Sequence, residues 1–288
     1  MAHKVFIQTI VAVIFVGMGC LIAPTANATI NCTSTQYITV PNSGTGSTYN
    51  AADNYTTSGT NTCIVFTGGT LNMNSKSVTC TSPSGCGTAI QINDNTAQSA
   101  TVKSANISGP FWADIDDETS TYPLKITNNT ITGGLSGYTT EIFGGGQISG
   151  NVIVSTCDYF WAIQWYIRSG GHFTAANQFI QNNFFDCSSA ASIGIGILGG
   201  GSLTSAVNIQ NNIFRVGNVG IYWGSYGTNP VKISENTIFG NTAGTPYVAS
   251  PVVSEFSFSK NLCDQSVYAL QSTACQPAAA PFPGFSPF

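Results

Sequence analysis

The chain has 288 residues, with 8 Lys+Arg against 12 Asp+Glu, a formal net charge of −4 and only 7% charged residues. So few bases, none of them clustered, exclude a nucleic-acid partner. The 42% hydrophobic content excludes a disordered chain, and the scarcity of Glu, Lys and Arg excludes long charged helices, so 31 Gly with abundant Thr, Ser and Asn predict a β-rich exported protein.

Residues 1–28 read as a secretory signal peptide. His3 and Lys4 precede an apolar stretch from Val5 to Ile22, and Ala26-Asn27-Ala28 is a small-x-small cleavage site. The alternative is a retained anchor, since the stretch nears spanning length; no second stretch does. Cleavage removes Lys4 and Cys20 and leaves Cys32, Cys63, Cys80, Cys86, Cys157, Cys187, Cys263 and Cys275. An even count in an exported chain predicts disulfides, and two His with no C-x-x-C argue against zinc. The expected location is secreted, cell-surface or periplasmic.

The rest of the chain divides into an N-terminal cap region at 29–66, a repeat region at 67–271 and a Pro-rich tail at 272–288. The repeat is apolar-x-x-Asn-x-apolar. It occurs at Ile126–Ile131, Ile148–Ile153, Ile180–Phe185, Ile209–Phe214, Ile233–Ile238 and Phe258–Cys263, with Asn129, Asn151, Asn183, Asn212, Asn236 and Asn261 at the fixed place. Asn106, 23 residues before Asn129, marks a degenerate earlier copy. A period of 20-odd residues with period-two alternation excludes helical repeats and propeller blades. The prediction is all-β: a right-handed, single-stranded parallel β-helix of about 7–9 coils, the rungs about 4.8 Å apart. Each Asn then bonds the Asn of the next coil, and Ile126, Ile148, Ile180, Ile209, Ile233 and Phe258 stack inside the tube.

On this register Cys157 and Cys187 lie at similar phase on adjacent coils. Cys80–Cys86 closes a short loop, Cys263–Cys275 ties the C-terminal end, and Cys32–Cys63 remains by elimination.

The Asn-bearing repeat and the stretch Gly68-Gly-Thr-Leu71-Asn-Met-Asn-Ser-Lys-Ser-Val78-Thr79 resemble the pectin-lyase-like superfamily of right-handed β-helices. That resemblance implies a polysaccharide lyase or glycoside hydrolase, or a tailspike or adhesin. Asp116-Asp117, Gly170-Gly171-His172 and Phe214-Arg215-Val216 are only fragments of the polygalacturonase motifs. The chain also lacks the bases of pectate lyases, so the resemblance transfers no catalytic residue.

Candidate site residues follow from alternation instead. Ile115, Ile142, Ile163, Ile195 and Ile221 are expected to point inward, and their neighbours outward. One face then carries Asp114, Asp116 and Glu141, continues past Gln164, Tyr166 and Arg168, crosses Gly194, Gly196 and Gly220, and ends at Tyr222. Asp114 and Glu141 on neighbouring coils, roughly 5 Å apart, suit a retaining glycosidase pair. They equally suit Ca²⁺, a hard ion that takes carboxylate oxygens. Tyr166 and Tyr222 suit sugar stacking, and Arg168 a uronate carboxylate. The bland counterparts are a solvated acidic loop at Asp114–Glu118 and packing roles for Trp161, Trp165 and Trp223. Three functions remain open: an enzyme acting through Asp114, Asp116, Glu141 and Arg168; a non-catalytic, adhesin-like binder of a polysaccharide or cell-surface glycan on the same face; and a structural extracellular rod.

Overall fold

The structure, a computed structural model, describes residues 28–38, 47–93, 100–117, 124–133, 138–142, 146–155, 161–166, 178–187, 189, 191–198, 207–223, 231–240, 248–249, 256–264, 267 and 273–277. Among these the protein is a parallel β-solenoid with almost no helix. Each coil gives one short strand to each of three sheets, A, B and C, and then returns to sheet A one rung further on. Sheet A opens at Thr29–Asn31, sheet B at Gln36–Ile38 and sheet C at Thr48–Asn50; they hold 11, 9 and 9 strands. Strands of residues 29–66 already belong to this stack, and Gln276–Pro277 of the tail adds the last strand of sheet A. The signal-peptide stretch 1–27 lies outside the described residues.

Short strands of Ile, Val and Thr suit this design, because each strand exposes one face to the lumen and the other to solvent. The lumen is filled by columns of like residues. In sheet C the column runs Leu71, Val102, Ile126, Ile148, Ile180, Ile209, Ile233 and Phe258, as the repeat predicts. In sheet A it runs Val78, Ile107, Ile131, Ile153, Phe185, Phe214 and Ile238. Phe185 and Phe214 stack with ring centroids 4.9 Å apart.

The turn from sheet C to sheet A carries the asparagine ladder. Asn129 donates from Nδ2 to Asn151 Oδ1, and Asn151, Asn183, Asn212 and Asn236 each do the same to the Asn one rung on, at 2.9–3.2 Å. The second Nδ2 hydrogen goes to a backbone carbonyl one rung back, as from Asn183 to Ile148. Each Oδ1 also accepts the preceding ladder residue's backbone N–H, as Asn183 Oδ1 does from Asn151. The ladder residues are all essentially buried, so these bonds satisfy groups that water cannot reach.

Asn106 departs from the expected pattern. Ala105 holds the ladder place, giving its N–H to Asn129 Oδ1, while exposed Asn106 bonds Ser75 O from one position further along. The residue before the ladder position explains the shift. Ser104, Asn128, Gly150, Asn182, Asn211, Glu235 and Lys260 all have φ between 54° and 67°, so the left-handed turn sits at 104 and its follower is Ala105. Asn and Gly take this conformation readily, whereas Lys carries a Cβ penalty of about 1–2 kcal/mol. Lys260→Gly is therefore expected to stabilise the fold by about 1 kcal/mol, read as a higher urea midpoint. The exposed Lys260–Glu235 pair at 3.4 Å offsets little of that gain.

Three cystines join Cys32–Cys63, Cys80–Cys86 and Cys263–Cys275, with Cα separations of 5.3, 5.8 and 5.8 Å, inside the usual range for a bridge. These are the pairs expected from the sequence. Cys157 lies outside the described residues.

Candidate functional site

Sheet B positions the candidate residues, and its register sorts them into two classes. One column runs Val65, Gln91, Asp116, Glu141, Gln164, Gly196, Tyr222 and Ala249, one residue per rung. Its members differ in exposure: Val65, Asp116 and Gly196 are buried, with Asp116 only 7% exposed, while Gln91 and Tyr222 reach solvent. Ile90, Ile92, Ile115, Ile163, Ile195 and Ile221 are fully buried, whereas Gln91 and Tyr222 between or beside them are half-buried. Asp116, Glu141, Gln164, Gly196 and Tyr222 thus occupy five successive rungs of one register column. Asp116 and Glu141 are direct register partners, so their backbones lie about 4.8 Å apart.

Asp114 is different. Glu141 pairs with Asp116, and Ile115 pairs with Thr140, so the expected Asp114–Glu141 pair does not form. The position expected for Ile142 in the inward column belongs to Thr140. Ile142 stands two residues on, in register with Trp165. Asp114 also leaves the outer face. Its place in the rung falls between Ala113 and Ile115, where ladder pairing skips a residue on coil after coil. The residues in that gap are Ala89, Asp114, Thr139, Ala162, Gly194 and Gly220. Ala89 and Ala162 belong to the core, and a Cβ on Gly194 would lie 2.6 Å from Cδ1 of buried Phe214. The strand bends there, so two consecutive residues face the lumen and simple alternation fails.

Asp114 is consequently 1% exposed, and its Oδ1 has no hydrogen-bond partner. Burial pushes its carboxyl well above the ordinary aspartate value, because the charged form has lost its water. Gly194 and Gly220 are likewise not the floor of a groove; their smallness makes room inside the bend.

Tyr166 holds the rung position paired with Leu198, two residues beyond Gln164 on the same strand. Arg168 lies outside the described residues. Among the described residues no three His, Cys, Asp or Glu come together in a metal-binding cluster. The register thus lines up two carboxylate residues on adjacent rungs, a mid-column glycine and a half-buried tyrosine across the strands.

Sequence reasoning missed Trp112. It is on the same strand as Asp114 and Asp116 and is 59% exposed. Its signal was position, since Phe111 and Ala113 beside it set the phase, but the other tryptophans drew the attention as packing residues.

Comparison of the chain with protein-family models, with curated proteins and with solved structures finds no match.

Proposed function

We propose that the protein is an exported β-helix that binds a polysaccharide along the Asp116-to-Tyr222 column of sheet B, and that it is allied to the pectin-lyase-like superfamily. The observation that carries the reading is the run of Asp116, Glu141, Gln164, Gly196 and Tyr222 on consecutive rungs. A rung repeat of about 4.8 Å presents one hydrogen-bonding position after another to a periodic, extended chain. Gly196 admits the ligand close to the backbone, and Tyr222 offers a ring edge and hydroxyl. The cystines support export, because such bridges persist in oxidising compartments.

Binding is measured by calorimetry against a panel of neutral and acidic polysaccharides. The double variant Glu141→Gln/Tyr222→Ala is expected to weaken binding at least about tenfold with its urea midpoint unchanged. Unaltered binding in this variant removes the column from the function.

A second reading is favoured by the Asp116–Glu141 register. Carboxylates on adjacent rungs suit retaining glycoside hydrolysis, whose two groups stand about 5–5.5 Å apart, or a Ca²⁺ ion. New reducing ends that disappear in Glu141→Gln would favour hydrolysis; affinity that depends on added Ca²⁺ would favour the ion.

A further inference from the structure

At the start of the strand that carries Asp116 is a recess of ≈ 400 Å³, formed by Thr60, Thr62, Ser84, Thr88, Gly87 and Trp112 among others. Its walls combine one large exposed ring with a fringe of hydroxyls, and none of the described residues that line it is charged. Gly87 is obligatory there: a Cβ would fall 2.2 Å from Thr60 O. The bare backbone thus forms the floor. The Cys80–Cys86 bridge holds the loop that supplies Ser84, so the rim is fixed rather than adaptable. Trp112 is four residues before Asp116, at most about 13 Å along the strand.

We propose that this recess is a sugar-stacking subsite for a neutral pyranose, and that the ligand of the protein is a neutral glycan rather than a polyuronate. The inference rests on the polysaccharide reading above and specifies its chemistry. A pyranose has an apolar C–H face and a girdle of hydroxyls. The Trp112 ring covers the first, as aromatic side chains do where one side must stay wet, and Thr60, Thr62, Ser84 and Thr88 serve the second. A uronate carboxylate finds no cation among the described residues of the recess. It would also approach a chain of net charge −4, which repels it.

The test uses the full chain, titrated with cellohexaose, xylohexaose, mannohexaose and hexagalacturonate by calorimetry and tryptophan fluorescence. At least one neutral hexaose is expected to bind and shift the emission, with hexagalacturonate weaker. Trp112→Ala is expected to weaken that binding about tenfold, and Trp112→Phe by less. The urea midpoint of both variants stays unchanged, since the ring is exposed. Neutral binding that survives Trp112→Ala but falls in Glu141→Gln/Tyr222→Ala overturns the subsite and leaves the polysaccharide reading intact. Preference for hexagalacturonate overturns the neutral assignment in the same way. Silence with all four overturns both.

Discussion

Asn183→Leu is expected to cost about 4 kcal/mol, seen as a lower urea midpoint with an unchanged slope. The size follows from what the leucine strands. Asn151 N–H loses its acceptor, and Asn151 Nδ2 and Ile148 O each lose a partner. Asn212 Oδ1 also loses one of its two donors. Each buried polar group left unpaired costs about 1–3 kcal/mol, and the apolar side chain recovers part of the sum. Asn106→Ala is the control. Its amide serves an exposed carbonyl outside the ladder, and the expected change is below about 0.5 kcal/mol. Equal effects in the two variants would mean that the ladder contributes nothing beyond a surface contact.

Asp114→Ala is expected to act in the opposite direction, stabilising the protein by about 2 kcal/mol at pH 7. Alanine already occupies this lumen-facing place on neighbouring coils, at Ala89 and Ala162, so the smaller side chain fits. The pH dependence has a definite sign. The folded carboxyl holds its proton more tightly than the unfolded one, because burial raises its pKa. Native stability is therefore greatest below the ordinary aspartate value. It falls as pH rises from there towards the folded value, since the unfolded chain releases a proton that the folded chain retains. The alanine variant lacks that slope. Its advantage should shrink towards acid, and urea unfolding at pH 3 and pH 7 measures the difference. A gain that is independent of pH would assign the effect to packing and not to the proton.

The solenoid was legible in the sequence because one residue type, Asn, recurs at a place where its side chain has four bonds to make. The sheet C column followed directly, since Ile126 through Phe258 stand at a constant offset from that Asn. The pairs Cys80–Cys86 and Cys263–Cys275 were legible from short spacing. The candidate site was only half legible. Asp116, Gln164, Gly196 and Tyr222 fall into one register column, though Asp116 and Gly196 are buried rather than open to solvent. Asp114 and Glu141 are not register partners, because the step from this strand to the next is 25 residues, two fewer than the 27 that aligning Ile115 with Ile142 requires. The bend that turns Asp114 inward has a sequence trace: its column is Ala89, Ala162, Gly194 and Gly220 on other coils. A run of the smallest residues before a constant isoleucine signals crowding inside a corner, a pattern that in sequence alone is indistinguishable from an open floor. Trp112 escaped because a single exposed ring leaves no periodic mark.

The ladder steps one rung at a time although the spacing of its asparagines varies from 22 to 32 residues. The larger share falls in the intervals between sheet B and sheet C strands, which count three residues at 143–145, eleven at 167–177, eight at 199–206, seven at 224–230 and six at 250–255, and a smaller share in those between sheets A and B, from two at 217–218 to seven at 241–247. The rod behaves as a rack whose cassettes differ in length. A constant rung step thus coexists with coils of 22 to 32 residues, so natural selection can change the length of chain between two asparagines without shifting the register of the spine.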